Sequence, residues 1–313
     1  KKPIMEIAII GCSHSLNTGV DLDRTLYNIN NGMVAETANN GYGAILANRF
    51  PKHNFTLFPA IGGGNKEILQ SLTFAIEQKK YDMYIVQTTS WFRYVLGVLN
   101  YTKKYFDISK NVKAYIFDTN SYDNQRCKID VPHYPNFYYS FLPCQNTPIK
   151  GTGWGKFLFE DDRCPEGLEN MQELYENITK VIVYDHFASS LFLDENYMIF
   201  NIIHLLSQNN NIWYFYWDPP LGEESNFKFV VPEQRKKALL IQYKKLVNNF
   251  KNKNHSKLIQ EKSISSYFKE KFGEKKFIVD FIKDAGTHIS QEGHNIVVDY
   301  LLENKKFKEQ LWI

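Results

Sequence analysis

The residue types that could carry out acyl transfer stand near the two ends of this chain. Ser13 follows an apolar run, Ile7 to Ile10, in a turn of small residues. Asp284 and His288 lie four residues apart in a late segment that precedes an apolar-periodic stretch. A serine hydroxyl becomes a good nucleophile when a base takes its proton, and an aspartate can hold that base in the required tautomer. These residues therefore predict a Ser-His-Asp hydrolytic site.

Each of these residues also has a structural explanation. Ser13 can cap a helix, because small hydroxyl side chains satisfy free backbone N–H groups. His288 can cap the helix that follows it or lie at the surface, and Asp284 can be a turn residue. His294 is a rival base, but its place inside a predicted helix favours a structural role. Asp280 is a more distant alternative to Asp284.

The elements that must position these residues alternate between short apolar runs and amphipathic stretches, which predicts an α/β fold with a parallel sheet. The predicted strands are Glu6–Ile10, Phe55–Pro59, Met83–Gln87, Lys113–Phe117, Lys180–Tyr184, Ile212–Trp217 and Phe277–Val279. The predicted helices are Gly43–Arg49, Lys66–Gln78, Trp91–Leu99, Glu195–Ser207, Pro232–Phe250, Ser263–Phe272 and Gln291–Leu302. We expect one domain over residues 1–313.

Residues 118–170 interrupt this alternation. The segment is rich in Tyr, Pro, Asn and Gly, and a loop of this length inside a compact domain is usually functional or a small subdomain. We therefore predict an inserted cap beside the site, with a passive surface excursion as the alternative.

Two short blocks resemble a known family. Gly-Cys-Ser-His-Ser at positions 11–15 resembles the nucleophile block of the SGNH (GDSL-type) hydrolases, with Cys12 where Asp is commoner. Residues 284–294 resemble their last block, with one more residue between Asp and His than the usual Asp-x-x-His. The resemblance follows the whole chain in order, and it implies a three-layer α/β/α fold with a mostly parallel sheet. It also implies Ser13 as nucleophile, His288 as base and Asp284 as the residue that orients it.

The same resemblance bears on the oxyanion hole. The family carries a Gly after its second strand, and Gly63 or a neighbouring glycine matches it here; a plain turn or a phosphate-cradling loop are the alternatives. After the third strand the family carries Gly-x-Asn-Asp, whereas residues 87–93 contain no Asn. We expect the N–H groups of Ser13 and Gly63, with the hydroxyls of Thr89 or Ser90 or a backbone N–H, to hold the oxyanion. Losing one such donor typically costs about a hundred- to a thousandfold in rate.

Residues expected at the substrate-binding surface are His14, Trp91, Trp217 and Asp218. The last two end a strand in which aromatic residues alternate, although such a pattern more often packs a core. Aromatic residues make up 15% of the chain, and aromatic rings stack on sugars. The substrate we expect is therefore an O-acetylated carbohydrate, with a lipid or another small ester as alternatives.

The overall composition and charge limit the classes of partner that we expect. A net charge of +3 and a pI of about 8.4 are weak indicators of nucleic-acid binding, and no apolar run has the length of a membrane span. The four cysteines lack CxxC spacing, so we expect reduced thiols and no metal; they are Cys12, Cys127, Cys144 and Cys164. No cofactor is expected, and the oligomeric state is left open. We expect a cytoplasmic protein, although the first residue is not Met and a removed signal peptide is compatible with that.

These observations predict a serine esterase. The alternatives are an O-acyltransferase with the same triad, a degenerate SGNH-like module that binds carbohydrate, and a nucleotide-binding protein that uses the glycines at 62–64. The absent Asn after the third strand favours the binding module.

Overall fold

A computed structural model describes residues 3–16, 41–61, 64–89, 94–96, 102–118, 139–141, 198–218, 257–273 and 289–312, with the isolated positions 241 and 245. The strands are β1 (Glu6–Cys12), β2 (Asn54–Ile61), β3 (Met83–Thr88), β4 (Tyr94–Leu96), β5 (Thr102–Ser109), β6 (Val112–Asp118), β7 (Tyr139–Phe141), β8 (Ile212–Tyr216) and β9 (Lys257–Leu258). The helices are α1 (Tyr42–Arg49), α2 (Asn65–Gln78), α3 (Ile264–Phe272), α4 (Gln291–Leu302) and α5 (Lys305–Trp312). Residues 198–206 are also helical, and a 3₁₀ turn spans Ser13–Ser15.

Seven of these strands form one sheet in the order β5-β6-β2-β1-β3-β8-β9. All neighbouring pairs are parallel except β5 with β6, which is antiparallel. β1 lies between β2 and β3 and is buried along almost its whole length. A continuous apolar run is what a strand covered on both faces requires.

Helices cover both faces of this sheet. Ile7 and Ile9 point to one face, where their cluster includes apolar residues of α1, α3, α4 and α5. Ala8 and Ile10 point to the other, where they pack with α2 and the helical segment 198–206. The alternation follows from the two-residue period of a strand. The predicted three-layer α/β/α fold with a mostly parallel sheet is therefore confirmed.

One predicted helix is wrong in the part of it that the structure describes. Residues 94–96 of the predicted helix 91–99 form β4, which pairs antiparallel with β7 in a separate two-stranded sheet. The periodicity of so short an apolar run cannot distinguish a helix from a strand. Here the segment is a strand because it pairs with β7, about forty-five residues further along the chain. β5, β7, β9 and α5 were not predicted either; β5 combines adjacent lysines with apolar residues and shows no clean alternation.

Other predictions fall on residues outside the described ranges. These are the strands at 180–184 and 277–279, the helix at 232–250 apart from the helical positions 241 and 245, and the cap at 118–170 apart from Asp118 and β7. The single domain over 1–313 stays a prediction. Across the described part of the chain, no helix combines the length and the apolar character needed to cross a membrane.

Candidate active site

The sheet topology singles out the carboxyl ends of β1 and β3. From β1 the chain continues to β2 on one side and then crosses to β3 on the other side. In open parallel sheets, ligands bind beyond the carboxyl ends of the strands, where the strand order reverses in this way. The residues that follow β1 and β3 at this edge are the 3₁₀ turn beginning at Ser13 and the segment beginning at Thr89.

Ser13 starts a turn that internal hydrogen bonds hold in shape. Ser15 Oγ donates to the Cys12 carbonyl at 2.8 Å, and the Leu16 N–H donates to the Ser13 carbonyl at 3.1 Å. Ser13 is buried, with 4% of its surface exposed. The predicted nucleophile therefore lies where the fold places ligands, and Ser15 supplies a side-chain bond that holds the turn.

The strand before this turn passes unusually close to its neighbours. A Cβ atom at Gly11 would lie 2.6 Å from Gln87 Oε1 and 3.0 Å from the Tyr42 hydroxyl, so only glycine fits without movement. Gln87 also donates from Nε2 to Cys12 Sγ at 2.9 Å. The residue next to Ser13 is thus fixed by β3 through a side chain and by Ser15 through its backbone.

A group of buried rings lies beside the turn. His14 stacks on Trp217, with ring centroids 3.8 Å apart and planes 17° apart. Tyr42 and His294 flank the same indole, each with its ring centroid 6.2 Å from that of Trp217. The position of Trp217 at the end of β8 was predicted correctly, but its ring packs against His14 and is almost fully buried.

In this region the Tyr42 hydroxyl and Gln87 Oε1 are buried without a hydrogen-bond partner among the described residues. Burial raises the pKa of Tyr42 well above its ordinary value, and the nearby Cys12 adds to the rise. The hydroxyl therefore stays protonated and can only act as a neutral donor or acceptor. Buried polar groups without a partner are uncommon in folded proteins, and each calls for an explanation.

Asn65, at the start of α2, hydrogen-bonds to Thr89, the residue that follows β3. Asn65 Oδ1 accepts the Thr89 N–H at 2.8 Å, and Asn65 Nδ2 donates to the Thr89 carbonyl at 3.2 Å. Both residues are buried. Because Asn65 already accepts its N–H, Thr89 can contribute to an oxyanion hole only through its hydroxyl. Asn65 was not among the predicted site residues; its place directly after three glycines at a helix start was the available signal.

A backbone N–H at the end of the glycine-rich segment 62–64 is also already hydrogen-bonded. The Gly64 N–H donates to Glu67 Oε2 at 2.8 Å, half of a capping box at the start of α2. Gly64 therefore cannot offer this N–H to an oxyanion. The Glu67 carboxylate also places a negative charge where a helix N-terminus would otherwise attract phosphate, which argues against a phosphate-binding loop.

Asp218, predicted to contact substrate, bonds to α3. Ser265 Oγ lies 2.8 Å from Asp218 Oδ1 and 2.7 Å from the Trp217 carbonyl, so its one hydroxyl hydrogen is shared between these two acceptors. The Ser265 N–H donates to that carbonyl as well, at 3.0 Å. These contacts fix the chain where it leaves β8.

The remaining predicted site residues lie outside the described residues; they are Gly63, Ser90, Trp91, Asp284 and His288. The helix that follows His288 in the sequence is described. α4 begins at Gln291, with Ser290 as its N-cap. His294, in the first turn of this helix, lies beside Trp217, with the two ring centroids 6.2 Å apart. Among the described residues, no group of three or more His, Cys, Asp or Glu side chains could hold a metal ion.

A groove of about 800 Å³ lies elsewhere, between β9 and α5, with Trp213 and Lys257 among its lining residues. Its lining contains neither Ser13 nor any other residue described at the carboxyl edge of the sheet.

No protein-family model matches the chain, and no curated protein matches it. Among solved structures, the chain is similar to LAE5, an alpha/beta hydrolase enzyme from the metagenome of Lake Arreo, Spain. The two are 11% identical with a TM-score of 0.40, over 97% of this chain and 95% of that chain. At this TM-score the likeness carries no weight for function, which rests on the geometry of the site.

Proposed function

We propose that this protein is a serine esterase in which Ser13 is the nucleophile, His288 the base and Asp284 the residue that orients His288. One observation carries the proposal: Ser13 lies on a hydrogen-bonded turn at the carboxyl end of the central strand, beside the point where the strand order reverses. The start of α4 at the same edge supports it, because His288 precedes this helix by three residues.

In the proposed reaction, Ser13 Oγ forms a bond to the acyl carbon while its proton passes to His288. The oxyanion is held by the N–H groups of Ser13 and Gly63 and by the hydroxyl of Thr89 or Ser90. The ester C–O bond then breaks, and His288 returns the proton to the departing alcohol. Water next attacks the acyl-enzyme and releases the acid and free Ser13.

We propose an O-acetylated carbohydrate as the substrate class. The high aromatic content supports it. An O-acyltransferase would use the same residues, with a sugar hydroxyl in place of water. The two differ in whether an added sugar takes up the acyl group from the acyl-enzyme.

A binding module without catalytic activity is the second candidate. Two observations favour it: no Asn stands in residues 87–93, and the Thr89 N–H is already bonded to Asn65. Both reduce the number of donors available to an oxyanion.

The test is labelling with a small fluorophosphonate probe, followed by peptide mass spectrometry. We expect one adduct per chain on Ser13, none in Ser13→Ala, and labelling slowed by about a thousandfold or more in His288→Ala. Ser207→Ala is the matched control, because it removes a buried serine hydroxyl that donates to the His204 carbonyl at 2.7 Å, away from the Ser13 turn. A folded protein with no adduct on any serine would contradict the esterase and favour the binding module.

A further inference from the structure

The hydrogen bonds between Asn65 and Thr89 join two loops that are separated in the sheet. Asn65 is the first residue of α2 and follows β2, whereas Thr89 follows β3. β1 lies between these strands, with Cys12 opposite Ala60 of β2 and Ile10 opposite Val86 of β3. A side chain that links the two loops therefore crosses the carboxyl end of β1, where the Ser13 turn begins.

This link fixes the backbone of Thr89 at both of its polar groups. A primary amide offers one acceptor and two donor hydrogens, and here it meets the N–H and the carbonyl of a single residue. Asn65 thus gives Thr89 the pair of bonds that a neighbouring strand would otherwise supply. Both residues are more than nine-tenths buried, so water competes little for these bonds.

We propose that Asn65 is a positioning residue for acyl transfer, which holds the end of β3 in register with the nucleophile turn. This inference rests on the proposed function. The chain has no Asn in residues 87–93, and Asn65 brings a side-chain amide to Thr89 from the preceding loop instead. With its backbone fixed, Thr89 can keep its hydroxyl at one place relative to Ser13. Preorganised donors matter because a displacement of about 1 Å can cost about a hundredfold in rate.

The test compares Asn65→Ala and Asn65→Asp with the wild-type protein in p-nitrophenyl acetate hydrolysis. In Asn65→Ala we expect kcat to fall about 10- to 100-fold while KM stays within about twofold, because the ground-state contacts remain. Asn65→Asp keeps the acceptor for the Thr89 N–H but replaces the donor with an oxygen that faces the Thr89 carbonyl. We therefore expect it to lower kcat as well, while the Thr89 N–H keeps its bond. The rate of fluorophosphonate labelling of Ser13 should follow kcat.

Hydrogen exchange at the Thr89 amide measures the link itself. We expect this amide to exchange at least about tenfold faster in Asn65→Ala than in the wild-type protein. Protection in Asn65→Asp should stay close to that of the wild type. Unchanged protection in Asn65→Ala would overturn the link, and lost protection with kcat within about twofold of wild type would overturn its positioning role.

Asn210→Ala is the matched control at the opposite edge of the sheet. Asn210 donates from Nδ2 to the Leu206 carbonyl at 2.8 Å just before β8, so its removal also deletes an amide-to-carbonyl bond. We expect a lower melting temperature and an unchanged kcat. An equal fall of kcat in Asn210→Ala would show a general structural effect and overturn the proposal. A wild-type protein that neither turns over ester nor takes label on Ser13 would overturn the proposed function instead, and Thr89 exchange would still report on the link.

Discussion

Buried polar groups at the two edges of the central sheet differ in their hydrogen bonding. At the amino edge, His53 uses both ring nitrogens: Nδ1 accepts the Met5 N–H at 3.1 Å, and Nε2 lies 2.9 Å from the Leu311 carbonyl. At the carboxyl edge, the Tyr42 hydroxyl and Gln87 Oε1 are buried without a hydrogen-bond partner. Within the described chain, His53 at the amino edge is therefore satisfied, whereas the carboxyl edge retains polar groups that a ligand or water can meet. The Trp213 indole N–H, near the start of β8, is also buried without a partner among the described residues.

The bonds of the amino edge explain how the chain ends are held. Since the Met5 N–H can only donate, His53 Nδ1 must be the acceptor and Nε2 must carry the hydrogen that Leu311 accepts. Glu6 nearby accepts hydrogen bonds from Lys79 and Asn54, each at 2.6 Å. Burial acts to raise the pKa of Glu6, but these two bonds and the charges of Lys79 and Lys113 together outweigh it, and the pKa is lowered. The comparison of these groups indicates that the satisfied ones stabilise the fold, while the Tyr42 hydroxyl and Gln87 Oε1 lie at the edge where ligands bind in this type of sheet.

The largest expected effect on stability comes from closing the space at Gly11. In Gly11→Ala the added methyl group would meet Gln87 Oε1 and the Tyr42 hydroxyl at distances that real contacts avoid. We expect a loss of about 1–3 kcal/mol in the free energy of unfolding, measured by urea denaturation. Gln87→Ala should remove the closest of these contacts, that with Oε1, so the double variant should lose less than the sum of the two single losses. Additive losses would show that Gly11 and Gln87 do not meet, and the close packing at this edge would be refuted.

The pH dependence of His53 sharpens the description of the amino edge. Burial lowers the pKa of His53 from its ordinary value of 6.5; the Leu311 carbonyl and Asp82 oppose this, and Lys52 adds to it. The unfolded chain then binds the proton first as the pH falls. The contribution of His53 is therefore complete above pH 6.5 and is lost as the pH falls from there through the folded pKa. The slope cannot exceed about 1.4 kcal/mol per pH unit for one proton.

Unfolding curves of the wild-type protein and His53→Gln at several pH values test this. The glutamine amide can hydrogen-bond but does not titrate. The stability advantage of the wild type should therefore shrink as the pH falls below 6.5. A difference that is constant with pH would mean that His53 keeps its proton affinity on folding.

The smallest expected effect compares two buried tyrosines. The Tyr300 hydroxyl donates to the Lys262 carbonyl at 3.1 Å, whereas the Tyr42 hydroxyl has no partner. Tyr300→Phe should cost about 1 kcal/mol, and Tyr42→Phe should be neutral or stabilise by up to about 1 kcal/mol. Equal losses in thermal or chemical unfolding would show that the Tyr42 hydroxyl is satisfied.

Much of the core was predictable because its signals are local. The apolar runs gave β1, β2, β3 and β8 to within about two residues. α4 has the predicted bounds, since Ser290 caps its start and an apolar stripe follows. Ser263 marks the start of α3 in the same way. The placement of Ser13 directly after β1 was predicted for the same reason.

The contacts of the site were not predictable from such signals. Asn65 and Thr89 are 24 residues apart, and nothing in either segment indicates that they pair. His14 and Trp217 meet only because β1 and β8 end at the same edge, with β3 between them. β4 was predicted as helix because its partner β7 lies far along the chain.

The sequence by itself determined that this chain forms a layered α/β structure and that Ser13 follows the first strand. Strand periodicity, helix caps and continuous apolar runs act over a few residues, so they can be read directly along the chain. Only the tertiary structure decided the strand order, the link from Asn65 to Thr89 and the stack of His14 on Trp217. These depend on which strands become neighbours, and that choice is made by burying both faces of the whole sheet at once.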